Sequence, residues 1–289
     1  MSLRDPRQIG PAIRSRLPEL TALETRIVDL MLTDRRFNAE TALADVARDA
    51  AVSEAMVVKL AKKLGFAGFR EMRSQIAAYN ELPTAELHEQ LMAGDDAATI
   101  LKKVFRTAVQ ALEETLAILD VGAFTAATDL LAGARQRDFY GLGGSAQIAR
   151  DVAHKFLRVG VRAAVFDDTH MMRMSASLLA PGDVAVGFSH SGETEAIIRA
   201  IALARANGAG TIVITNHAAS RLARMAEVVL ASTAQGSPLT GENAAARIAQ
   251  LNILDALFVA VAQRDLTTTE ANLRRTMASV SPSRGRHAT

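Results

Sequence analysis

Two short segments in the second half of the chain combine glycines and hydroxyl side chains in a way that suits phosphate binding. The first serine loop, Gly141–Ser145, has three glycines and a serine where a helix is predicted to begin. The second serine loop, Ser189–Thr194, has three hydroxyl side chains and one glycine. Backbone N–H groups at a helix N-terminus attract anions. Ordinary helix capping would explain either loop alone, whereas the two together favour a phosphorylated ligand.

Acid–base chemistry on such a ligand has few candidate residues. Moving a proton between adjacent carbons needs a positioned base, for which Glu and His are suited. The candidates are Glu193, Glu242, His170, His190 and His217. Both glutamates fall at predicted helix starts, where the helix dipole alone favours an acid, although Glu242 could also reach the bound ligand. Because the histidines are scattered and the chain has no cysteine, we expect no metal site, cofactor or thiol nucleophile.

A different motif lies near the N-terminus. A predicted helix opening at Thr41 is followed by a short turn, and Ser53 has the position and type of an N-cap for a second helix. Ala47 suits a close crossing of the two helices, and Val52 suits the turn between them. This pattern is typical of a helix-turn-helix, whose second helix enters the major groove of DNA.

The outward face of that second helix is basic. Residues 48–80 contain six basic and three acidic side chains, a local charge of +3, while the whole chain carries +2. The residues predicted to contact DNA are Ser53, Glu54, Ala55, Lys59, Lys62, Lys63 and, on the following helix, Arg70. Lysines suit phosphates better than base edges, so the sequence leaves open which residues contact the bases. The alternative is a plain helical hairpin with a solvated basic face.

The elements that must position the two serine loops alternate between strand and helix. Strands are predicted at Asp138–Leu142, Ala163–Phe166, Asp183–Phe188, Thr211–Thr215 and Val228–Ala231. Helical segments between them imply βαβ units and a parallel sheet covered on both faces. Both loops then fall at the carboxyl edge of the sheet, where such folds bind ligands.

Length and composition complete the organisation. A chain of 289 residues suggests roughly two domains. We expect an all-α helix-turn-helix domain (1–82), a helical linker (83–120), an α/β domain (121–273) and a disordered basic tail (274–289). No signal peptide is recognisable, and the apolar runs are short for a membrane span. With the lack of cysteine, this predicts a soluble cytoplasmic protein without a membrane partner.

Residues 139–160 and 182–215 resemble the SIS phosphosugar-binding domain, and residues 17–32 and 44–77 resemble the helix-turn-helix domain of RpiR-type bacterial transcription regulators. The resemblance spans about residues 10–265. It implies a five-stranded parallel sheet in a flavodoxin-like three-layer sandwich. It also implies that Ser145, Ser189, Ser191 and Thr194 hold the phosphate of a sugar phosphate; Gly143 and Glu242 complete the predicted effector site.

These observations predict a regulator that binds double-stranded operator DNA and whose sugar-phosphate effector modulates that binding. A homodimer or homotetramer is expected, because a two-fold axis presents two recognition helices to a palindromic operator. Two alternatives remain at this point. One is a phosphosugar isomerase or related lyase with a helical appendage. The other is a helical interaction module joined to a sugar-sensing domain that makes no contact with DNA.

Overall fold

The computed structural model describes residues 5–34, 36–82, 91–92, 94–234 and 244–280. The first part, called the helical domain below, contains α1 (Ile9–Arg14), α2 (Ala22–Thr33), α3 (Leu43–Asp49), α4 (Glu54–Lys63) and α5 (Phe69–Asn80). Each helix turns an apolar stripe inward, and the stripes share one core that includes Ile27, Val57, Leu60 and Ile76. The predicted all-α domain is therefore observed, with its own hydrophobic cluster.

Local capping explains where these helices begin and end. Thr21 and Glu24 form the predicted capping box of α2, in which Thr21 N donates to Glu24 Oε2 at 2.8 Å. Ser53 Oγ accepts from Met56 N at 3.3 Å at the start of α4. Thr41, in contrast, does not open α3. Its hydroxyl accepts from Asn38 N at 2.9 Å, and the helix begins at Leu43.

The rest of the described chain forms the sheet domain, which begins with α6 (Ala97–Ile118) and α7 (Val121–Gly133). The following elements are β1 (Arg137–Gly141), α8 (Gly144–Arg158), β2 (Ala164–Phe166), α9 (Thr169–Leu178), β3 (Val184–Phe188), α10 (Glu195–Ala206), β4 (Gly210–Thr215), α11 (Arg221–Met225), β5 (Val228–Ala231), α12 (Ala244–Ala262) and α13 (Leu266–Val280). All strand pairs are parallel, in the order β2-β1-β3-β4-β5. The predicted five-stranded parallel sheet is confirmed.

Helices cover both faces of this sheet. Leu131, Phe156 and Leu257, from α7, α8 and α12, belong to the core on one face. Met172 and Ile201, from α9 and α10, belong to the core on the other face. The molecule is thus the predicted three-layer sandwich, and the strands between two apolar layers are themselves apolar.

One continuous helical stretch, Ala244–Val280, is long and apolar enough by composition to cross a membrane, with 39% of its apolar window buried in the protein. The composition has a local explanation. Ile253, Leu257 and Val261 of α12 are at most 5% exposed and pack into the core on one face of the sheet. This is the packing of a core helix.

The tail prediction needs correction. Residues 274–280, expected to be disordered, continue α13 as a helix. Asn272 Nδ2 donates to Val159 O at 3.0 Å, and Thr276 Oγ1 donates to Arg158 O at 3.1 Å. These bonds hold α13 against the end of α8. The small and basic residues of this segment did not predict that contact. Residues 281–289 lie outside the described residues.

Candidate functional site

A cleft of about 290 Å³ opens at the carboxyl ends of β1 and β3. β1 pairs with β2 on one side and with β3 on the other, so the strand order reverses at β1. The two serine loops follow these two neighbouring strands and therefore face each other. Open α/β sheets bind ligands at such a switch point.

The structure brings most of the predicted effector residues to this cleft. Ser145, Ser189, Ser191 and Thr194 all line it. Gly143 is the N-cap of α8 and has a φ of +56°, a backbone conformation that favours glycine. Glu242 lies outside the described residues. The geometry therefore groups four hydroxyl side chains around one space large enough for a small ligand.

Both helices that begin at the cleft have open N-termini. α8 and α10 receive no hydrogen bond from a capping side chain, whereas α7, α9 and α11 are capped by Asp120, Asp168 and Ser220. The serines and threonine are thus not used for ordinary capping here. At α8, the N–H groups of Ser145 and Ala146 bond to the backbone carbonyls of Leu142 and Gly143, so no side chain competes with an anion for the positive end of either helix dipole.

The second serine loop is held rigid by bonds within itself. Ser189 Oγ shares a hydrogen bond of 2.9 Å with Thr194 Oγ1 and accepts from Gly192 N at 3.1 Å. Gly192 has a φ of +67°, and a Cβ there would lie 2.0 Å from Ser220 Oγ. Only glycine fits at this point, because the φ is positive and a side chain would collide with Ser220.

Two residues of the cleft were missed by the sequence reasoning. Arg247 and Gln250 line it from the first turns of α12. Gln250 is 1% exposed, and Arg247 contributes the positive charge that the serine loops lack. A signal was present, since these are polar residues three apart in a helix that is otherwise almost entirely apolar. No motif spacing pointed to them.

The acid–base candidates do not assemble into a catalytic set among the described residues. Glu193 Oε1 accepts from Arg221 N at 2.9 Å and so caps the start of α11 rather than lining the cleft. His190 lines the cleft, and its ring lies 5.8 Å from that of His217. His170 is exposed at the start of α9. No cluster of three metal-ligating side chains occurs in the part of the chain that the structure describes.

The helix-turn-helix has the expected geometry. Val52 N donates to Ala47 O at 2.9 Å across the turn between α3 and α4, and Ala47 is buried. Val57 and Leu60 face the core. The residues that remain exposed on or beside α4 are Ser53, Glu54, Ala55, Lys59, Lys62 and Arg70.

The basic residues of this region fall into two groups. Arg48 pairs with Asp45 and Asp49, and Lys63 Nζ lies 2.7 Å from Glu24 Oε2. Arg73 donates to Thr41 O at 3.0 Å and stacks on Phe69. Lys59, Lys62 and Arg70 have no ion-pair partner within the described ranges. Lys63, in contrast, holds α4 to α2 through its ion pair with Glu24.

Comparison with known proteins agrees with both regions. Residues 7–81 match the model of the helix-turn-helix domain of the rpiR family, and residues 130–260 match that of the SIS domain. The chain is 42% identical to the HTH-type transcriptional regulator RpiR of Escherichia coli (strain K12) over 272 residues, which cover 94% of this chain and 92% of that protein. The chain belongs to the RpiR family of transcriptional regulators.

Other similar proteins extend this RpiR-family assignment. The HTH-type transcriptional regulator HexR of Pseudomonas aeruginosa is 32% identical over 277 residues, 94% of this chain and 95% of that protein. The Vibrio vulnificus NanR protein, solved as a complex with ManNAc-6P, superposes with a TM-score of 0.59 at 25% identity, covering 93% of this chain and 97% of that one.

These RpiR-family relatives decide between the alternatives left by the sequence. Those that cover nearly the whole chain are helix-turn-helix regulators of transcription, so the protein is a regulator linked to sugar metabolism and not an isomerase or lyase.

Proposed function

We propose that this protein is a cytoplasmic transcription regulator whose affinity for operator DNA is set by a sugar phosphate bound between the two serine loops. The observation that carries the proposal is the cleft itself. Four hydroxyl side chains, two uncapped helix N-termini and Arg247 converge on one space at the switch point of the sheet.

The electrostatics of the cleft suit a phosphate monoester. Such a group carries a charge of about −1.5 to −2 at neutral pH. The helix N-termini supply partial positive charge, and Arg247 supplies a full one. The hydroxyls of Ser189 and Thr194 are oriented before binding by their mutual hydrogen bond. The complex of the Vibrio vulnificus NanR protein with ManNAc-6P, a sugar phosphate bound by a protein of similar fold, supports this ligand class.

The DNA contact is proposed to be made by α4. Ser53, Glu54, Ala55 and Lys59 would approach the base edges or flanking phosphates, and Lys62 and Arg70 the phosphate backbone. Support comes from their exposure and from the lack of ion-pair partners for the three cations among the described residues. Lys63 is left out of this set, since Glu24 binds it within the domain.

A direct test combines both halves of the proposal. The DNA upstream of the protein's own gene is titrated in a gel-shift assay at low salt, alone and with ribose 5-phosphate, glucose 6-phosphate or N-acetylmannosamine 6-phosphate. We expect a specific complex whose Kd changes with at least one sugar phosphate. If no DNA complex forms at low salt, the proposed regulator function is wrong. If a complex forms but none of the three ligands changes its Kd, the proposed effector class is wrong.

The phosphate assignment has its own test. Ser189→Ala together with Ser191→Ala should weaken sugar-phosphate binding by more than about tenfold, because each hydrogen bond to a charged group contributes about 1.5–3 kcal/mol. DNA binding without ligand should stay unchanged. Ser177→Ala, which alters an exposed hydroxyl outside the cleft, is the control. Calorimetric titration gives the affinities, and a double variant that binds as well as the unaltered protein would refute the assignment.

We also propose a homodimer, paired through α6. Leu101 and Phe105 lie one turn apart on this helix and are 62% and 70% exposed, and Val104 between them is 40% exposed. Large apolar side chains grouped on one helix face mark an interaction surface. Phe105→Asp should convert the protein to monomers in sedimentation velocity and weaken operator binding.

A further inference from the structure

One segment of α6 contacts the two domains at the same time. Ala111 and Thr115 lie one turn apart and face the sheet domain, whereas Gln110 and Glu114 form the neighbouring stripe and face the helical domain. All four residues are at most 4% exposed. This segment of α6 is therefore packed on both sides, and a shift of the segment moves groups in both domains.

On the sheet side, a hydrogen-bonded chain runs from the cleft to α6. Gln250, which lines the cleft, donates through Nε2 to Ser232 Oγ at 3.3 Å. The next residue, Thr233, donates its N–H to Thr115 Oγ1 at 3.0 Å, and Thr115 Oγ1 donates to Thr233 O at 3.2 Å. The Thr115 hydroxyl thus binds both backbone groups of one residue, and every member of the chain is buried.

Close packing beside this chain gives the contact little freedom. Ala246 of α12 lies in a small cluster with Ala111 of α6 and Ala234. Ala246 directly precedes Arg247, the cation of the cleft. Small side chains let two helices approach closely, and close-packed surfaces shift between discrete positions rather than deforming continuously. A displacement of the first turns of α12 by a ligand is therefore felt at α6.

On the helical side, Glu114 is the common acceptor. Its carboxylate accepts from Arg14 of α1 and from the Tyr79 hydroxyl of α5, and from Gln110 Nε2 at 2.9 Å. Arg14 Nη2 also donates to Tyr79 Oη at 2.9 Å. We call Arg14, Tyr79, Gln110 and Glu114 the junction cluster. Because α5 packs against α4, the cluster lies one helix away from the DNA-binding face.

The junction cluster contains buried hydrogen-bond donors that are not used. Arg14 is 6% exposed, yet its Nε and Nη1 have no hydrogen-bond partner among the described residues. Unsatisfied buried donors are costly, and a rearranged cluster could satisfy them. Donors that lack a partner in one arrangement and gain one in another help to bring the free energies of the two arrangements close together. A two-state element needs such similar free energies.

We propose that Thr115 and Glu114 of α6 transmit occupancy of the effector cleft to the DNA-binding domain. The route runs from Arg247 and Gln250 through Ser232 and Thr233 to Thr115, and from Glu114 to Arg14 and Tyr79. It rests on the proposed function, since it needs a ligand in the cleft. Thr115 acts as a positioning residue: it touches neither the sugar phosphate nor DNA.

The test compares two identical substitutions on the same helix. Thr115→Val removes the bridging hydroxyl at nearly constant volume. Thr107→Val is the matched control, because Thr107 Oγ1 donates to Lys103 O at 2.9 Å inside α6. For each protein, the Kd for the upstream DNA is measured with and without the tightest binder of the three sugar phosphates named above, and the Kd for that sugar phosphate is measured by calorimetry.

In the unaltered protein and in Thr107→Val, the sugar phosphate should change the Kd for DNA by about fivefold or more, as is typical of allosteric coupling. In Thr115→Val, the ratio of the Kd for DNA with sugar phosphate to that without it should fall to within about twofold of 1. The Kd for sugar phosphate, and the Kd for DNA in the absence of sugar phosphate, should each change by less than about threefold. Thr115→Ser keeps the hydroxyl and should restore the coupling. Thr115→Val with full coupling would overturn the proposal.

Hydrogen exchange of the unaltered protein provides a second measurement that needs no variant. Adding the sugar phosphate should change amide exchange in α1 and α5 as well as in the serine loops. If exchange changes in the serine loops alone, the route is refuted while the effector site stands. If no sugar phosphate binds at all, the effector proposal fails and the route fails with it.

Discussion

Side chains of the same residue type in the helical domain make different contacts in the folded protein. Lys59, Lys62 and Lys63 are three lysines of one helix, and among the described residues only the last has an ion-pair partner, Glu24. Glu24 also closes the capping box of α2. One carboxylate therefore fixes both the start of α2 and its contact with α4, and it removes one cation from the surface offered to DNA.

This double role makes the helical domain sensitive to acid. The hydrogen bond from Lys63 and that from the Thr21 N–H lower the pKa of Glu24 below its ordinary value. The carboxylate thus contributes stability at pH values above the ordinary Glu pKa of about 4.3, and this contribution is lost as the pH falls through the lowered pKa. Glu24→Gln should cost about 1 kcal/mol at pH 7 and less at pH 3. Urea unfolding at both pH values checks this, with Glu19→Gln, a more exposed surface carboxylate, as the control.

Ala51, in the turn of the helix-turn-helix, has a φ of +50°. A Cβ in this left-handed conformation costs about 1 kcal/mol or more. Ala51→Gly should therefore raise the free energy of unfolding by about 0.5 kcal/mol after the extra entropy of the unfolded chain is subtracted. The same change at Ala55, in the first turn of α4, should lower it by less than about 1 kcal/mol. Urea midpoints that move in the same direction for both variants would contradict the strain at Ala51.

At the scale of elements, the two functional regions use helix ends in different ways. α4 begins with a side-chain cap at Ser53 and presents a basic exposed face. α8 and α10 begin without such caps, at residues that line or adjoin the cleft. The first arrangement stabilises the helix that we propose to contact DNA, and the second leaves the helix dipole for the proposed ligand.

The cations of α4 give a prediction at this scale. Lys59→Ala and Lys62→Ala should each weaken binding to all DNA sequences and should reduce the slope of log Kd against log salt concentration by about 1, because each lysine releases about one counterion. Arg199→Ala removes a cation that pairs with Glu195 on α10 and should leave the slope unchanged. Gel shifts at several salt concentrations measure it, and equal slopes for all variants would place the DNA elsewhere.

At the scale of the whole molecule, α6 is more than a spacer. It packs on α12 in the sheet domain, and its residue Glu114 binds Arg14 and Tyr79 of the helical domain. Burial raises the pKa of Tyr79 to about 12, so its hydroxyl remains a donor throughout the physiological pH range. The two domains are therefore joined by a buried ion pair with a neutral phenol beside it.

Breaking that pair should uncouple the unfolding of the two domains. Glu114→Gln leaves the Arg14 charge buried without its carboxylate, and we expect a loss of about 3 kcal/mol. In calorimetry the helical domain should then unfold at a lower temperature than the sheet domain. The double variant Arg14→Met with Glu114→Leu should recover much of the loss, since it leaves no buried charge. A single transition at the original Tm in Glu114→Gln would show that the cluster does not join the domains.

Features with local causes were predictable from the sequence by itself. The capping box at Thr21 and the N-cap Ser53 depend on residues three apart. The five strands were found within a residue or two because apolar runs between turn residues mark them. The two serine loops were recognisable because the residues that make up each loop lie within five or six consecutive positions.

Tertiary structure alone decided the rest, because the decisive contacts join residues far apart in the chain. Strand order placed the serine loops side by side. Arg247 and Gln250 reached the cleft from a helix with no motif, and the bonds from Arg14 to Glu114 and from Thr115 to Thr233 span 100 and 118 residues. Periodicity and capping act over a few residues, whereas such pairings depend on how whole elements pack.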